Sequence, residues 1–197
     1  MKLRKVLASA TAASLMAAAL GPAAHAHTGI GEVSGFAAGF GHPFTGLDHL
    51  LAMVAAGLWA AQIGGRATWK IPAAFVGVML LGGAAGMLGV RLPFVEQGIV
   101  ASVLALGALV AVAWRWPAAA SAALVGLFAF FHGHAHGSEM PPGAGALAYS
   151  AGFGLATALL HLTGIALAEA SRRVFDGRLT RLAGGAIALL GLGLAAL

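Results

Sequence analysis

The chain has 197 residues, of which 60% are hydrophobic and 9% charged, and its mean hydropathy is +0.92. Soluble globular domains average about 25% charged residues, so this composition excludes an ordinary soluble enzyme and favours membrane-spanning helices. The formal net charge is +5, but so little soluble surface is expected that we predict no nucleic-acid partner. The chain has no cysteine, so a transition metal would need histidine, carboxylate, methionine or backbone ligands.

Residues 1–26 have the pattern of a secretory signal peptide. Basic residues near the N-terminus are followed by an apolar stretch and then by a small-residue cleavage site, which is the order typical of a cleaved leader. Cleavage would leave a mature domain of residues 27–197 that begins with His27 outside the cytoplasmic membrane. The alternative is an uncleaved first helix, although about 15 apolar residues are short for a membrane span.

Six hydrophobic segments follow the leader. A membrane-spanning helix needs about 20 apolar residues, and irregular backbone is not tolerated in lipid. The predicted fold class is therefore an all-α integral membrane protein, a six-transmembrane-helix bundle in the lipid bilayer. The spans are predicted near residues 31–63, 71–88, 94–114, 118–137, 144–171 and 179–197.

The distribution of basic residues predicts the orientation of the bundle. Cytoplasmic loops collect lysine and arginine, and the loops after spans one, three and five carry seven such residues, whereas the other loops carry only Arg91. These seven are Arg66, Lys70, Arg115, Arg172, Arg173, Arg178 and Arg181. We therefore expect a protein of the bacterial cytoplasmic (inner) membrane with its mature N-terminus and its C-terminus outside.

The first polar interruption is the segment GHPFTGLDHL in the first span. Ionisable groups within a bilayer cost about 2.5 to 3.5 kcal/mol each on insertion scales and mark functional sites. On a continuous helix His42 and His49 would share a face but lie about 10 Å apart, too far for one metal ion. Pro43 and Gly46 predict a break in the helix that would bring the two imidazoles together. Asp48 would be either an oxygen ligand or the acceptor that orients an imidazole.

The second polar interruption is the segment FHGHAHGSE at the outer end of the fourth span. His132 and His136 share a helix face with Cβ atoms about 5 to 6 Å apart, and such a pair can chelate a metal. Glu139 continues that face if the helix persists. His134 points the other way, so it is either a ligand released by unwinding at glycine or a surface residue. We predict a metal site here rather than a solvated polar loop.

Two further histidines are secondary candidates, together with His134. His161 stands alone in the fifth span, where a lone buried imidazole is more often hydrogen-bonded structure than a ligand. His27 would offer an imidazole and an α-amine if the leader is cleaved. Imidazoles with carboxylates and no thiolate suit Ni, Co, Zn, Cu(II) or Fe(II), and disfavour Mg, Ca and Cu(I).

The two motifs lie in spans one and four, the first members of two successive groups of three helices. Because three is odd, the groups would have opposite topology. We therefore predict an inverted 3+3 repeat with broken helices in spans one and four, a pattern that forms the binding site of many transporters. Small residues four apart, such as Gly82 and Gly86, predict close helix contacts within the bundle.

His42 followed after five residues by Asp48 and His49 resembles the H-x5-D-H motif of the HupE/UreJ family of nickel and cobalt permeases. Phe131 to Glu139 resembles the family's F-H-G-x-A-H-G-x-E motif, and the layout of leader and six helices covers essentially the whole chain. The resemblance implies a permease, not an enzyme, that imports Ni(II) or Co(II) for hydrogenase or urease assembly, with no permanent cofactor. It nominates six metal-binding residues, His42, Asp48, His49, His132, His136 and Glu139.

Transport would be driven by gradients, because the sequence contains no G-x4-G-K-[ST] phosphate loop. Two other functions stay open. One is an intramembrane zinc-dependent hydrolase similar to membrane ceramidases, although H-E-x-x-H is absent from the sequence. The other is a non-transporting metal-binding membrane protein. The sequence also leaves open the choice among nickel, cobalt and zinc, and whether the chain forms a homo-oligomer.

Overall fold

A computed structural model describes residues 35–196, which fold into seven α-helices and one short 3-10 turn, with no β-strand among them. The predicted signal peptide and His27 lie outside these residues. In chain order the elements are α1 (Gly35–Gly41), the 3-10 turn (His42–Phe44), α2 (Leu47–Ile63), α3 (Ala67–Met87), α4 (Val95–Val112), α5 (Ala118–Ser138), α6 (Ala146–Phe175) and α7 (Arg178–Ala195).

Five helices, α3 to α7, are long and apolar enough to cross a membrane, and the pair formed by α1 and α2 brings the number to six if it counts as one span. Many large apolar side chains point outward from the bundle, which suits contact with lipid rather than water. Examples are Leu81, Leu127, Leu182 and Leu189. The prediction of an all-α membrane bundle is therefore confirmed at the level of five to six spanning helices.

The first span is broken where the sequence predicts it. The helix axis turns by 81° between residues 35–44 and 47–63. Pro43 lies within the 3-10 turn, and the backbone becomes extended at Gly46, with φ −103° and ψ 121°. The extended residue at the break is therefore Gly46, three residues after the proline.

The predicted break in the fourth span is wrong, because α5 continues without interruption through both of its late glycines. A Cβ built on Gly133 would overlap the carbonyl oxygen of Met79, and one on Gly137 would overlap that of Gly83. These glycines therefore allow α5 to pack directly on the backbone of α3 instead of unwinding the helix. The inverted repeat stays a prediction.

The most extensive helix packing joins α3 to α5, α4 to α7, and both halves of the bent span to α6. Gly82 and Gly86 on α3 lie against the backbone carbonyls of Phe130 and His134 on α5, as the spacing of the small residues predicts. The largest buried side chains of the core come mainly from α2, α3, α4 and α6. Within α2 the buried residues are His49 and most of residues 52–60, so the core begins directly after the first motif.

The two ends of the bundle differ in chemistry. At one end, which we call the basic end, Trp59 donates to the carbonyl of Trp114 and Gln62 to that of Val110. Arg181 also donates to a backbone carbonyl there, and the seven basic residues counted above lie at the helix termini of this end. The opposite end carries both histidine motifs, and we call it the histidine end. Which side of the membrane each end faces stays a prediction.

Candidate metal site

The two histidine motifs meet at the histidine end, where the bent first span packs beside the C-terminal end of α5. His42 Nε2 lies 3.0 Å from Glu139 Oε2, and the His42 ring lies 4.5 Å from the His136 ring between centroids. One ligand atom from each of these three residues lies within 4.8 Å of the other two. This spacing suits two imidazoles and one carboxylate that bind a single metal ion.

His136 is the centre of the site. Its ring lies 4.2 Å from the His49 ring and 4.0 Å from the Phe153 ring between centroids. Only 3% of the residue is exposed, and neither ring nitrogen has a hydrogen-bond partner within residues 35–196. Tyr149 holds the local backbone by donating its hydroxyl to the His136 carbonyl at 3.3 Å. The His136 side chain is therefore held in place while a ring nitrogen stays available to a metal.

Asp48 accepts hydrogen bonds from its neighbour His49. Asp48 Oδ1 lies 2.8 Å from His49 Nδ1 and 2.7 Å from the His49 backbone nitrogen. Because an ionised carboxylate only accepts, Nδ1 carries the proton, which leaves the lone pair of the buried Nε2 free for a metal. A Cβ at Gly46 would come within 2.8 Å of Asp48 Oδ1, so the bend and the hydrogen bond depend on the same small residue.

Ser102 on α4 orients His132, and the sequence analysis did not find it. The Ser102 hydroxyl donates to the carbonyl of Ile99 at 2.6 Å and lies 2.8 Å from His132 Nε2. Because its one proton goes to Ile99, the hydroxyl accepts from Nε2–H. The lone pair of His132 therefore lies on Nδ1, which is buried and without a partner in the described part of the chain.

Four imidazoles form a continuous series from the rim of the site inward, in the order His42, His136, His49, His132, which we call the imidazole chain. The ring centroids of His49 and His132 are 4.6 Å apart, which completes the series. His42 at the rim is partly exposed, whereas His132 at the inner end is fully buried. The arrangement can pass a cation between neighbouring ligands without returning it to water.

The structure contradicts both interpretations of His134, as a released ligand and as a surface residue. It is not released by unwinding, because α5 is continuous, and it is not a surface residue, because only 7% of it is exposed. Its Nε2 lies 2.7 Å from the carbonyl oxygen of Val90 in the loop between α3 and α4. His134 therefore fixes that loop to α5, on the side of α5 away from the imidazole chain.

His161 is fully buried and lies outside the imidazole chain. Its ring contacts Phe75, with 4.8 Å between centroids, and neither ring nitrogen has a hydrogen-bond partner among the described residues. No hydrogen bond within residues 35–196 accounts for His161, and its role as structure or ligand stays a prediction.

The structure thus separates the predicted residues into three groups. Six converge at the histidine end, namely His42, Asp48, His49, His132, His136 and Glu139. His134 and His161 lie apart from them, and His27 is outside the described residues. No pattern in the sequence pointed to Ser102, because a single serine in an apolar helix is common.

Comparison with known proteins gives two matches. The family model described as HupE / UreJ protein matches residues 14–194. The chain is also similar to Protein HupE from Rhizobium leguminosarum bv. viciae, with 48% identity over 178 residues that cover 90% of this chain and 93% of that protein. No solved structure matches the chain.

Proposed function

The chain belongs to the HupE/UreJ family, and we propose that it is a secondary transporter that imports Ni(II), or Co(II), across the cytoplasmic membrane. The family resemblance implies such a permease, which supplies metal for the assembly of hydrogenase or urease. The apolar helices fit a membrane protein. In this proposal the metal ion is cargo, and the protein carries out no chemical reaction.

One observation carries the proposal, the convergence of His42, His136 and Glu139 with ligand atoms within 4.8 Å of one another. His42 comes from the first span and the other two residues from the fourth. Both motifs therefore contribute to one site, which a pair of unrelated polar loops would not do.

The donor set supports the choice of cargo. Imidazole and carboxylate ligands suit Ni(II) and Co(II), whereas Mg²⁺ and Ca²⁺ prefer oxygen ligands alone. The Asp48 carboxylate and the Ser102 hydroxyl each fix one imidazole, a common arrangement around metal-binding histidines. His49 and His132 would then receive the ion after His42, His136 and Glu139.

The membrane potential can drive this import. A divalent cation gains about 4.6 kcal/mol per 100 mV of inside-negative potential, twice the value of about 2.3 for one charge. This corresponds to an accumulation of roughly a thousandfold. With the histidine end outside and the basic end in the cytoplasm, the ion enters at Glu139 and moves inward along the imidazole chain.

The test is uptake of radioactive nickel by cells that lack their own nickel importers. Cells that express this chain are compared with cells that express His49→Ala or His132→Ala at matched membrane levels, with cobalt and zinc as competitors. Uptake that both substitutions abolish supports a permease with one path through both motifs, and competition ranks the metals. Nickel binding by purified protein without uptake by cells would contradict transport and indicate a binding-only protein.

A further inference from the structure

We propose a second ion-binding station on the transport path, formed by His161, Thr157, Met53 and Met79, in which the ring of Phe75 contacts both His161 and the inner end of the imidazole chain. The inference rests on the proposed transport function. It assigns a role to four fully buried side chains that lie outside the two histidine motifs.

The unpaired imidazole of His161 is the first argument. A neutral imidazole has one N–H donor and one lone pair, and burial of both without partners is unfavourable. Neither nitrogen of His161 has a partner within residues 35–196, and the residue is fully buried. A cation that passes through the core would pair with the free lone pair.

Two methionine sulfurs lie beside the same face of α6. Thr157 precedes His161 by four residues, so the two side chains share a helix face. The Thr157 hydroxyl lies 3.5 Å from both Met53 Sδ and Met79 Sδ. Its single proton can go to only one sulfur at a time, so the other thioether keeps its lone pairs free for a metal.

His161, the innermost ligand of the station, is deeper than the imidazole chain. His136 contacts Phe153 on α6, and His161 follows eight residues later, about 12 Å further along the helix. Gly57 lies on α2 two turns beyond His49. It packs against the carbonyl oxygen of His161. Two neighbouring helices therefore place His161 at the same depth, toward the basic end.

The ring of Phe75 contacts one imidazole of each group. Its ring centroid is 5.7 Å from that of His132 and 4.8 Å from that of His161, and the residue is fully buried. In this proposal an ion on His132 moves past this ring to reach His161, so that the ring divides the path into an outer and an inner compartment. Such a division suits a transporter that never opens to both sides at once.

The ligands of the station define the ions that it accepts. One imidazole, one hydroxyl and two thioethers suit a borderline to soft transition-metal ion and disfavour Mg²⁺ and Ca²⁺. None of these four ligands is an anion, so the ion is held less tightly than at the site with Glu139. Weak binding at the inner station favours onward release toward the basic end.

Three substitutions that keep side-chain size test the station: His161→Leu, Thr157→Val and Met79→Leu. We expect each of His161→Leu and Met79→Leu to reduce radioactive nickel uptake by about tenfold or more. Nickel binding by the purified proteins in detergent should stay within about twofold of the unsubstituted protein, because none of the substituted residues is a ligand of the site formed by His42, His136 and Glu139. Met87→Leu, two turns from Met79 on α3, is the matched control and should transport normally.

The outcomes separate the station from the proposed function. Normal uptake by His161→Leu and Met79→Leu would overturn the station and leave transport in place. No uptake by the unsubstituted chain would overturn the proposed function, and the station with it. If His161→Leu does not reach the membrane, normal uptake by both Thr157→Val and Met79→Leu overturns the station, and reduced uptake by both supports it.

Discussion

His42 Nε2 and Glu139 Oε2 are 3.0 Å apart although 97 positions separate the two residues in the chain. The contact requires the 81° bend of the first span, which turns His42 toward the end of α5. It also requires α5 to stay helical until Ser138, so that Glu139 lies at its C-terminus. The rim of the metal site therefore depends on one broken and one continuous helix.

Removal of the Glu139 charge should weaken the site at its rim. Glu139→Gln keeps an acceptor for His42 but loses the anionic ligand, and we expect nickel binding by the purified protein to weaken by about 10- to 100-fold. Equilibrium dialysis measures this affinity. Glu96→Gln removes the same charge from an exposed residue in the first turn of α4 and should bind nickel normally. Equal losses in both variants would indicate a general effect of surface charge and contradict a ligand role.

The sequence predicts the spans and the first break well, because both depend on local properties. Hydropathy depends on composition over about 20 residues, and the combination of Pro43 and Gly46 disfavours a continuous helix wherever it occurs. The spacing of His132 and His136 likewise places both on one face of any helix. These features can be predicted without knowing which residues of other helices pack against them.

The errors concern residues whose roles are decided by distant parts of the chain. A glycine in a helix permits either unwinding or close packing against another helix. At Gly133 close packing occurs because the carbonyl oxygen of Met79 lies opposite it. Ser102 acquires its role from His132, which is 30 positions away. His134 is likewise fixed by Val90 from another helix connection. Such pairings cannot be derived from local pattern alone.

The hydrogen bond from His49 Nδ1 to Asp48 predicts that Asp48 acts through the imidazole. Asp48→Asn keeps a carbonyl oxygen as acceptor but loses the charge that favours the Nδ1–H form, so we expect nickel binding to weaken by about tenfold. Asp48→Ala removes the acceptor and should weaken binding further. Asp176→Asn, in the turn before α7, is the control and should be neutral, since asparagine tolerates its left-handed conformation. If Asp48→Asn binds as tightly as the unsubstituted protein, the carboxylate charge has no role.

The contact between Ser102 and His132 predicts that nickel affinity falls when the Ser102 hydroxyl is removed and recovers when a conservative substitution keeps it. Ser102→Ala leaves the buried His132 N–H without its acceptor, and we expect nickel binding to weaken by about tenfold. Ser102→Thr keeps the hydroxyl and should recover most of the affinity. Ser121→Ala, at a buried serine of α5 with no side-chain partner among the described residues, should leave binding unchanged. A purely structural role for Ser102 would lower stability without changing the affinity of the folded protein for nickel.

The packing of α3 on α5 predicts that alanine substitutions at two glycines change the free energy of unfolding in opposite directions. Gly133→Ala would place a methyl group on the carbonyl oxygen of Met79, and such overpacking typically costs about 1 to 3 kcal/mol. Gly77 on α3 has open space around its Cβ position, so Gly77→Ala should raise the free energy of unfolding by about 0.5 to 1 kcal/mol through helix propensity. Thermal unfolding of both purified variants in detergent measures the difference. An unchanged midpoint for Gly133→Ala would mean that the two helices are not in backbone contact, and the continuous α5 would then lack its physical explanation.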